Sequence, residues 1–133
     1  MSPDEKAIAR LRMENALEAI EGAQSELEKG NRRNAVNRAY YACFYAVNAL
    51  LYSDNRTSSK HTGVRAMFNQ HYVHTGIVGT ELGNLFNQLF DKRLVSDYGD
   101  VEPVPQAQAE HWVTGATTFV GAISKLVEER LSK

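Results

Sequence analysis

The sequence contains a single cysteine, Cys43, among 133 residues. One cysteine excludes a disulfide within the chain and any zinc site built from several thiolates. Cys43 lies inside the run NRAYYACFYAVNALL, residues 37–51, which is apolar at most positions. A small thiol in such a run is typical of a buried position. We therefore predict that Cys43 packs in the core.

The chain also lacks an excess of charge of either sign. It carries 15 Lys and Arg against 16 Asp and Glu, a formal net charge of -1. A chain so nearly neutral has no global field that would attract a nucleic acid or an anionic membrane. Any anion-binding site must therefore be local.

Signals for export and membrane insertion are missing from the sequence as well. The first residues, MSPDEKAIARLRMENALEAIEG, are acidic and amphipathic, and they lack the basic start and apolar segment of a signal peptide. The run at residues 37–51 is too short to cross a bilayer, which takes about 18 or more apolar residues. We predict a cytoplasmic protein without a membrane segment.

Strand-like alternation, internal repeats and low-complexity segments are absent from the sequence. Apolar residues recur instead at steps of three or four, which is typical of amphipathic helices. The pattern predicts five helices, over residues 4–29, 31–52, 60–74, 79–98 and 106–131. Long helices with short connections favour an all-α fold, an antiparallel up-and-down bundle of four to five helices. The length favours one domain over residues 1–133.

The second predicted helix is apolar on nearly every side. A helix of this kind must be buried on most of its surface. In a bundle of four or five helices, only a central helix, or one that a second subunit also covers, meets that condition. We predict that this helix is central and lies near the interface of a homodimer.

Basic and aromatic residues gather in the first half of this helix. Arg33 and Arg38 lie in NRRNAVNR, and Tyr41 follows one turn later. Guanidinium groups beside aromatic rings can hold phosphate and stack a base, and the positive end of a helix favours an anion. This pattern predicts binding of RNA or a nucleotide. The alternative is that Arg33 solvates the helix start while Arg38 pairs with a carboxylate beside the core.

Histidines supply the other candidates for chemistry. Lys60 and His61, in SSKHTG, fall at a predicted helix start, where they would suit a bound anion. The alternative is that the Ser and Thr residues of this loop simply cap the helix. His71 and His74 are three residues apart, but two ligands do not define a metal site. We predict no metal and no cofactor. The sequence also lacks a Gly-rich phosphate loop and a nucleophile elbow, so conventional hydrolases are disfavoured.

The fourth predicted helix ends in FDKRLVSDYGD, which places charged residues on its apolar side. Arg93 and Asp97 are one turn apart and can form an ion pair that does no more than terminate the helix. Tyr98 adds a hydroxyl that could donate to an anion. The alternative to a local ion pair is an anion-binding cleft at this end of the helix.

Three blocks of the sequence, in order, resemble the HEPN-domain family of small prokaryotic helical proteins. They are RAYYACFYAVNALL, then SSKHTGV with Phe68 following, and then LFDKRLVSDY. The match covers about residues 31–98, and the standalone branch of short proteins is the most similar. The resemblance implies a helical bundle that dimerises through faces near its functional arginine. Many members are metal-independent ribonucleases, often toxins encoded beside a minimal nucleotidyltransferase antitoxin, while others only bind RNA or nucleotides.

The family's active nucleases use an arginine followed four to six residues later by a histidine, with one copy of the pair from each subunit. By this resemblance Arg93 carries over as the functional arginine. The histidine does not, because the block here reads Arg-Leu-Val-Ser-Asp-Tyr. Asp97 could serve as a weaker base and Tyr98 could orient phosphate, while His61 or His111 could supply the imidazole by folding in.

The sequence therefore favours a HEPN-like protein that binds RNA or a nucleotide in a composite basic cleft formed by Arg38, His61 and Arg93. Its setting would be a toxin–antitoxin pair, with metal-independent RNA cleavage as the reaction if the protein is catalytic. The alternative is a non-catalytic helical module for dimerisation or for docking a nucleotidyltransferase partner.

Overall fold

The computed structural model describes residues 1–98 and 104–133, with side chains for all of these except 93–98. Five α-helices account for most of the described chain: α1 (Pro3–Glu28), α2 (Arg32–Ser53), α3 (His61–Phe68), α4 (Thr80–Tyr98) and α5 (Gln106–Leu131). A π-helical segment, Asn69–Val73, continues α3. The described residues contain no strand. The predicted all-α helical bundle is confirmed.

The ends of α1 follow from local chemistry. The Ser2 hydroxyl accepts from the Glu5 backbone N–H at 3.1 Å, and the Glu5 carboxylate accepts from the Ser2 backbone N–H at 3.0 Å, which is a complete capping box. These hydrogen bonds with Ser2 lower the pKa of Glu5. At the other end Gly30 adopts φ +81°, a left-handed conformation that suits glycine and lets the chain reverse into α2.

Helix α2 forms the centre of the bundle, as its apolar sequence predicts. It packs against all four of the other helices, and residues on most of its circumference are buried. Cys43 is fully buried, which confirms its predicted core position. The remaining exposed stripe of α2 carries Asn37, Arg38 and Tyr45.

Most successive helices run antiparallel, but α3 runs in the same direction as α2. His61, at the start of α3, contacts Tyr40 near the start of α2, and Tyr72, just beyond α3, contacts Asp54 at the end of α2. Residues 54–60 must therefore return along the side of α2. An extended segment of that length can reach roughly 23 Å, which is enough for this return. The return brings His61 back to the middle of the bundle.

A polar network fixes the end of this arrangement. Asp54 accepts from the Tyr72 hydroxyl at 2.6 Å and from Nε of Arg130 at 2.9 Å, while Arg56 lies 3.6 Å away. The network joins the end of α2, the π-helical segment and the end of α5. Sequence reasoning missed it because its members lie far apart in the chain.

Aromatic rings fill the core between α3, α4 and α5. Phe86 stacks on Phe119 with ring centroids 5.7 Å apart, and Phe68 meets both rings edge-on. Such pairs stabilise a core beyond the apolar area that they bury. This core holds α4 in place beside α3.

Candidate functional site

His61 is held at the start of α3 by two aromatic residues of α2. Its Nδ1 atom lies 3.4 Å from the Tyr40 hydroxyl, and its ring stacks on Phe44 with centroids 4.3 Å apart. The histidine is partly buried. A hydrogen-bonding contact to one ring nitrogen and a stacking contact to the ring face together fix the orientation of the imidazole.

The same aromatic group reaches α4. The Tyr40 ring meets Phe90 edge-on at a centroid distance of 6.1 Å, and the guanidinium of Arg65 covers Phe90 at 4.6 Å. Tyr40, Phe44, His61 and Phe90 are called the His61 cluster below. The cluster joins α2, α3 and α4. Arg93 follows Phe90 by three residues on α4, so it belongs to the next turn of that helix.

The predicted residues Arg93, Asp97 and Tyr98 all belong to α4. Their side chains lie outside the described residues, so their predicted ion pair and anion contacts stay predictions.

Arg38 lies on a different side of α2 from the His61 cluster. One of its Nη atoms is 4.0 Å from the Glu26 carboxylate of α1. A Cβ atom at Gly22 would lie 2.8 Å from the other Nη, so that glycine makes room for the arginine. The pKa of Glu26 is lowered, first by a hydrogen bond from Asn31 and in smaller part by Arg38. The carboxylate pairing predicted as the alternative role of Arg38 is therefore present.

The predicted composite cleft of Arg38 and His61 is not brought together within one chain. Arg38 and Tyr40 are two residues apart on α2, and side chains at that spacing in a helix point in directions roughly 200° apart. Arg38 and Tyr45 instead line an open groove of about 500 Å³ between α1 and α2. Tyr41 lies between the two sides, with its ring 5.1 Å from Tyr40 and 6.1 Å from Tyr45.

Arg33 lies on the side of α2 that faces the His61 cluster. It precedes Tyr40 by two helical turns, which puts the two residues on one face. A cleft of about 320 Å³ surrounds the start of α2, lined by Gly30, Asn31, Arg32, Arg33, Asn34 and Val104. Two arginines and the positive end of the helix therefore border this cleft.

Lys60 is exposed and occupies the cap position of α3, next to His61. Ser58 orders the preceding loop, since its hydroxyl donates to the Lys60 carbonyl and accepts from the Lys60 N–H, each at 3.2 Å. A side chain at position 63 would collide with Ser58, which explains glycine there. Ser58 thus orders the loop, but among the described residues no side chain caps the first turn of α3, so the predicted capping role of the loop is not found.

The other histidines lie outside the cluster. His74 is exposed and His71 is partly buried after α3, while His111 is exposed on α5, with its ring 4.8 Å from that of Trp112. Trp112 in turn lies 5.9 Å from Nζ of Lys92 on α4. Across the described part of the chain, no three His, Cys, Asp or Glu side chains gather closely enough to hold a metal ion.

Sequence reasoning singled out His61 but missed the partners that hold it. Phe44 and Phe90 carry ordinary core signals in the sequence, and Arg65 gives no signal that distinguishes it from a surface arginine. None of the helices in residues 1–98 and 104–133 has the length and apolar character needed to cross a membrane.

Comparison with known proteins agrees with this architecture. The family model described as HEPN domain matches residues 9–127. A "UPF0332 protein" of Thermotoga maritima is 40% identical over 129 residues, covering 97% of each chain. Two proteins of Methanocaldococcus jannaschii are each named "Putative toxin". One is 34% identical over 90% of this chain and 88% of its own length. The other is 31% identical over 95% of this chain and 92% of its own.

The family model thus spans most of the chain, and the all-helical architecture fits it. This chain belongs to the HEPN domain family.

Proposed function

We propose that this protein is the RNA-binding toxin component of a toxin–antitoxin pair, and that it cleaves RNA without a metal ion at a site formed by His61 and Arg93. The names of two relatives, "Putative toxin", support the setting. The chemistry of an imidazole beside a guanidinium supports the reaction. A minimal nucleotidyltransferase is the proposed antitoxin partner, by resemblance to the family.

The observation that carries the proposal is the contact of His61 with Tyr40, whose ring also meets Phe90. Phe90 precedes Arg93 by less than one turn of α4. The return of residues 54–60 along α2 thus brings a histidine toward the helical turn that carries the family's arginine. This supports compensation for the histidine that the sequence lacks after Arg93.

The proposed reaction needs a base, an acid and a group that stabilises charge on phosphorus. A base removes the proton from the ribose 2'-hydroxyl, and the 2'-oxygen attacks the adjacent phosphorus. The bond from phosphorus to the 5'-oxygen breaks, and that oxygen takes up a proton from the acid. The products are a 2',3'-cyclic phosphate and a 5'-hydroxyl. His61 would transfer a proton in this sequence, while Arg93 would stabilise the charged phosphorane. Asp97 and Tyr98 are the proposed second proton-transfer group and phosphate-orienting group.

Basic side chains near His61 suit the backbone of RNA. Lys60 adjoins the histidine in the chain, and Arg33 lies two turns before Tyr40 on the same face of α2. Tyr41 would offer a ring edge for a base. Arg38, on the far side of α2, would contact RNA only along a path that wraps around the helix or in a second subunit.

The test is cleavage of a mixed RNA pool in excess chelator. We expect His61→Ala and Arg93→Ala each to lower the rate by about 100-fold or more, as loss of a proton-transfer or charge-stabilising group does. His74→Ala is the matched control, because His74 is exposed and lies beyond α3. Loss of activity in His111→Ala with full activity in His61→Ala would show that His111 of α5, and not His61, supplies the imidazole. Intact RNA with folded wild-type protein would contradict the proposed reaction.

A second candidate function is docking, and a particular surface favours it. Leu11 and Ile8 of α1 are 56% and 39% exposed, and Tyr45 of α2 is 38% exposed. Arg12 covers the ring of Tyr52 at 4.6 Å between these helices. This surface, called the α1–α2 face below, suits a second copy of the chain or a protein partner. The salt dependence of binding distinguishes the two candidate functions, because contacts with phosphate weaken steeply as ionic strength rises and an apolar contact does not.

A further inference from the structure

Asn87 of α4 makes four hydrogen bonds, of which three join α4 to α3 and the π-helical segment and one lies within α4. Its Oδ1 atom accepts from Nε of Arg65 at 2.8 Å and from Nδ2 of Asn69 at 3.0 Å. Its Nδ2 atom donates to Oδ1 of Asn69 at 3.0 Å and to the Gly83 carbonyl at 2.9 Å. A side-chain amide has two donors and two acceptor positions, so its hydrogen-bonding capacity is fully used.

The partners of Asn87 fix the orientation of its amide. The Arg65 guanidinium can only donate, so it requires the amide oxygen. The Gly83 carbonyl can only accept, so it requires the amide nitrogen. A flipped amide would lose both hydrogen bonds. The contact therefore defines one register between α3 and α4.

Arg65 connects the Asn87 contact to His61 through a chain of side-chain contacts. Its Nη1 atom lies 2.8 Å from the Asp91 carboxylate, and its guanidinium covers Phe90 at 4.6 Å. Phe90 contacts Tyr40, which contacts His61. His61, Arg65 and Asn69 are spaced four residues apart and so share one face along α3 and its continuation.

Helix α3 is short enough to need such an anchor. The helix has 8 residues and a π-helical continuation of 5, and isolated helices shorter than about 12–15 residues are marginal in water. A π-helical segment also shifts the faces of the residues that follow it. Asn69, the first residue of that segment, is the one that Asn87 binds through both amide atoms.

We propose that Asn87, together with Arg65 and Asn69, positions His61 against the turn of α4 that carries Arg93. Asn87 acts through other residues and is a positioning residue, not a catalytic one. This inference rests on the proposed function for its effect on RNA cleavage, but its effect on the environment of His61 stands independently.

The experiment compares Asn87→Ala and the milder Asn69→Ala with a control, Asp54→Asn. The control weakens a network that does not include Asn87 and lies farther along the chain from His61, in which Asp54 binds Tyr72 and Arg130. Thermal unfolding identifies a temperature at which all variants are folded. At that temperature two quantities are measured, the NMR signals of the His61 ring and the kcat and KM of RNA cleavage.

We expect the His61 signals to shift or broaden in both asparagine variants and to stay unchanged in Asp54→Asn. We expect kcat to fall by about 10- to 100-fold with KM nearly constant, because small misplacement of a reacting group costs that much. Wild-type His61 signals and wild-type kcat in both folded asparagine variants would overturn the proposal. If wild-type protein leaves RNA intact, the proposed function fails. The His61 signals then test the positioning role alone: a change in the asparagine variants supports it, and unchanged signals overturn it.

Discussion

Cys43 lies wholly inside the bundle, and burial raises the pKa of its thiol far above the ordinary value. A thiol reacts as its thiolate, and a buried thiol must first be exposed by opening of the fold. We expect no reaction with a thiol reagent under native conditions and complete reaction after unfolding in denaturant, measured by the absorbance of the released group. Rapid native labelling would show that α2 opens on a short timescale.

Single residues of the candidate site could be predicted where the residue itself carries the chemistry. His61 and Lys60 were found because a histidine and a lysine at a helix start are unusual enough to notice. Their partners could not be found, since the contact of His61 with Tyr40 spans 21 positions and depends on the direction in which residues 54–60 run. The pairing of Arg38 with Glu26 was open because it depends on how α1 and α2 face each other across the turn at Gly30.

At the scale of elements, the five helices were predictable because each carries a regular apolar stripe and clear ends, such as Ser2 before α1 and Gly30 after it. The π-helical segment Asn69–Val73 was not, since its apolar residues differ little from those of a regular helix. The up-and-down pattern expected from the sequence would make α3 antiparallel to α2, whereas α3 runs parallel to it. Periodicity indicates which face of a helix is buried, but it gives no direction relative to a neighbouring helix.

The junction of the π-helical segment with α2 and α5 gives a prediction for alkaline pH. Burial, and then the hydrogen bond to Asp54, raise the pKa of Tyr72 to about 12, above the ordinary value of about 10. The unfolded chain therefore loses this proton first as pH rises. The contribution of Tyr72 to stability is full below pH about 10 and is lost between about 10 and 12.

Denaturant unfolding of the wild type and of Tyr72→Phe across this pH range measures the effect. We expect the variant to be less stable by about 1–3 kcal/mol at neutral pH, from the lost hydrogen bond to a carboxylate. The difference should shrink between pH about 10 and 12. Tyr45→Phe, which alters an exposed tyrosine, is the control. Parallel stability curves for wild type and Tyr72→Phe would contradict the assignment.

At the scale of the whole molecule, the exposed apolar residues of the α1–α2 face lead us to expect a homodimer. Light scattering should give a mass about twice the 14.9 kDa of one chain. Leu11→Glu should shift the mass toward the monomer, because a charge at an apolar interface is costly to bury. Leu17→Glu is the matched control, since Leu17 is 47% exposed and points away from this face, roughly 120° around α1 from Leu11 and roughly 180° from Ile8. A monomeric mass across a wide concentration range would exclude this interface.

The parallel course of α2 and α3 bears on the order in which the molecule folds. Helices α1 and α2 meet at a tight turn, so their contacts can form progressively outward from Gly30. Helices α2 and α3 share no such turn, and their contacts close a longer loop at a greater entropic cost. Contacts between residues near in sequence form faster, so α1 and α2 would pair before His61 reaches Tyr40. A chain caught midway would be rich in helix yet inert, and any toxic activity would await the last step of folding.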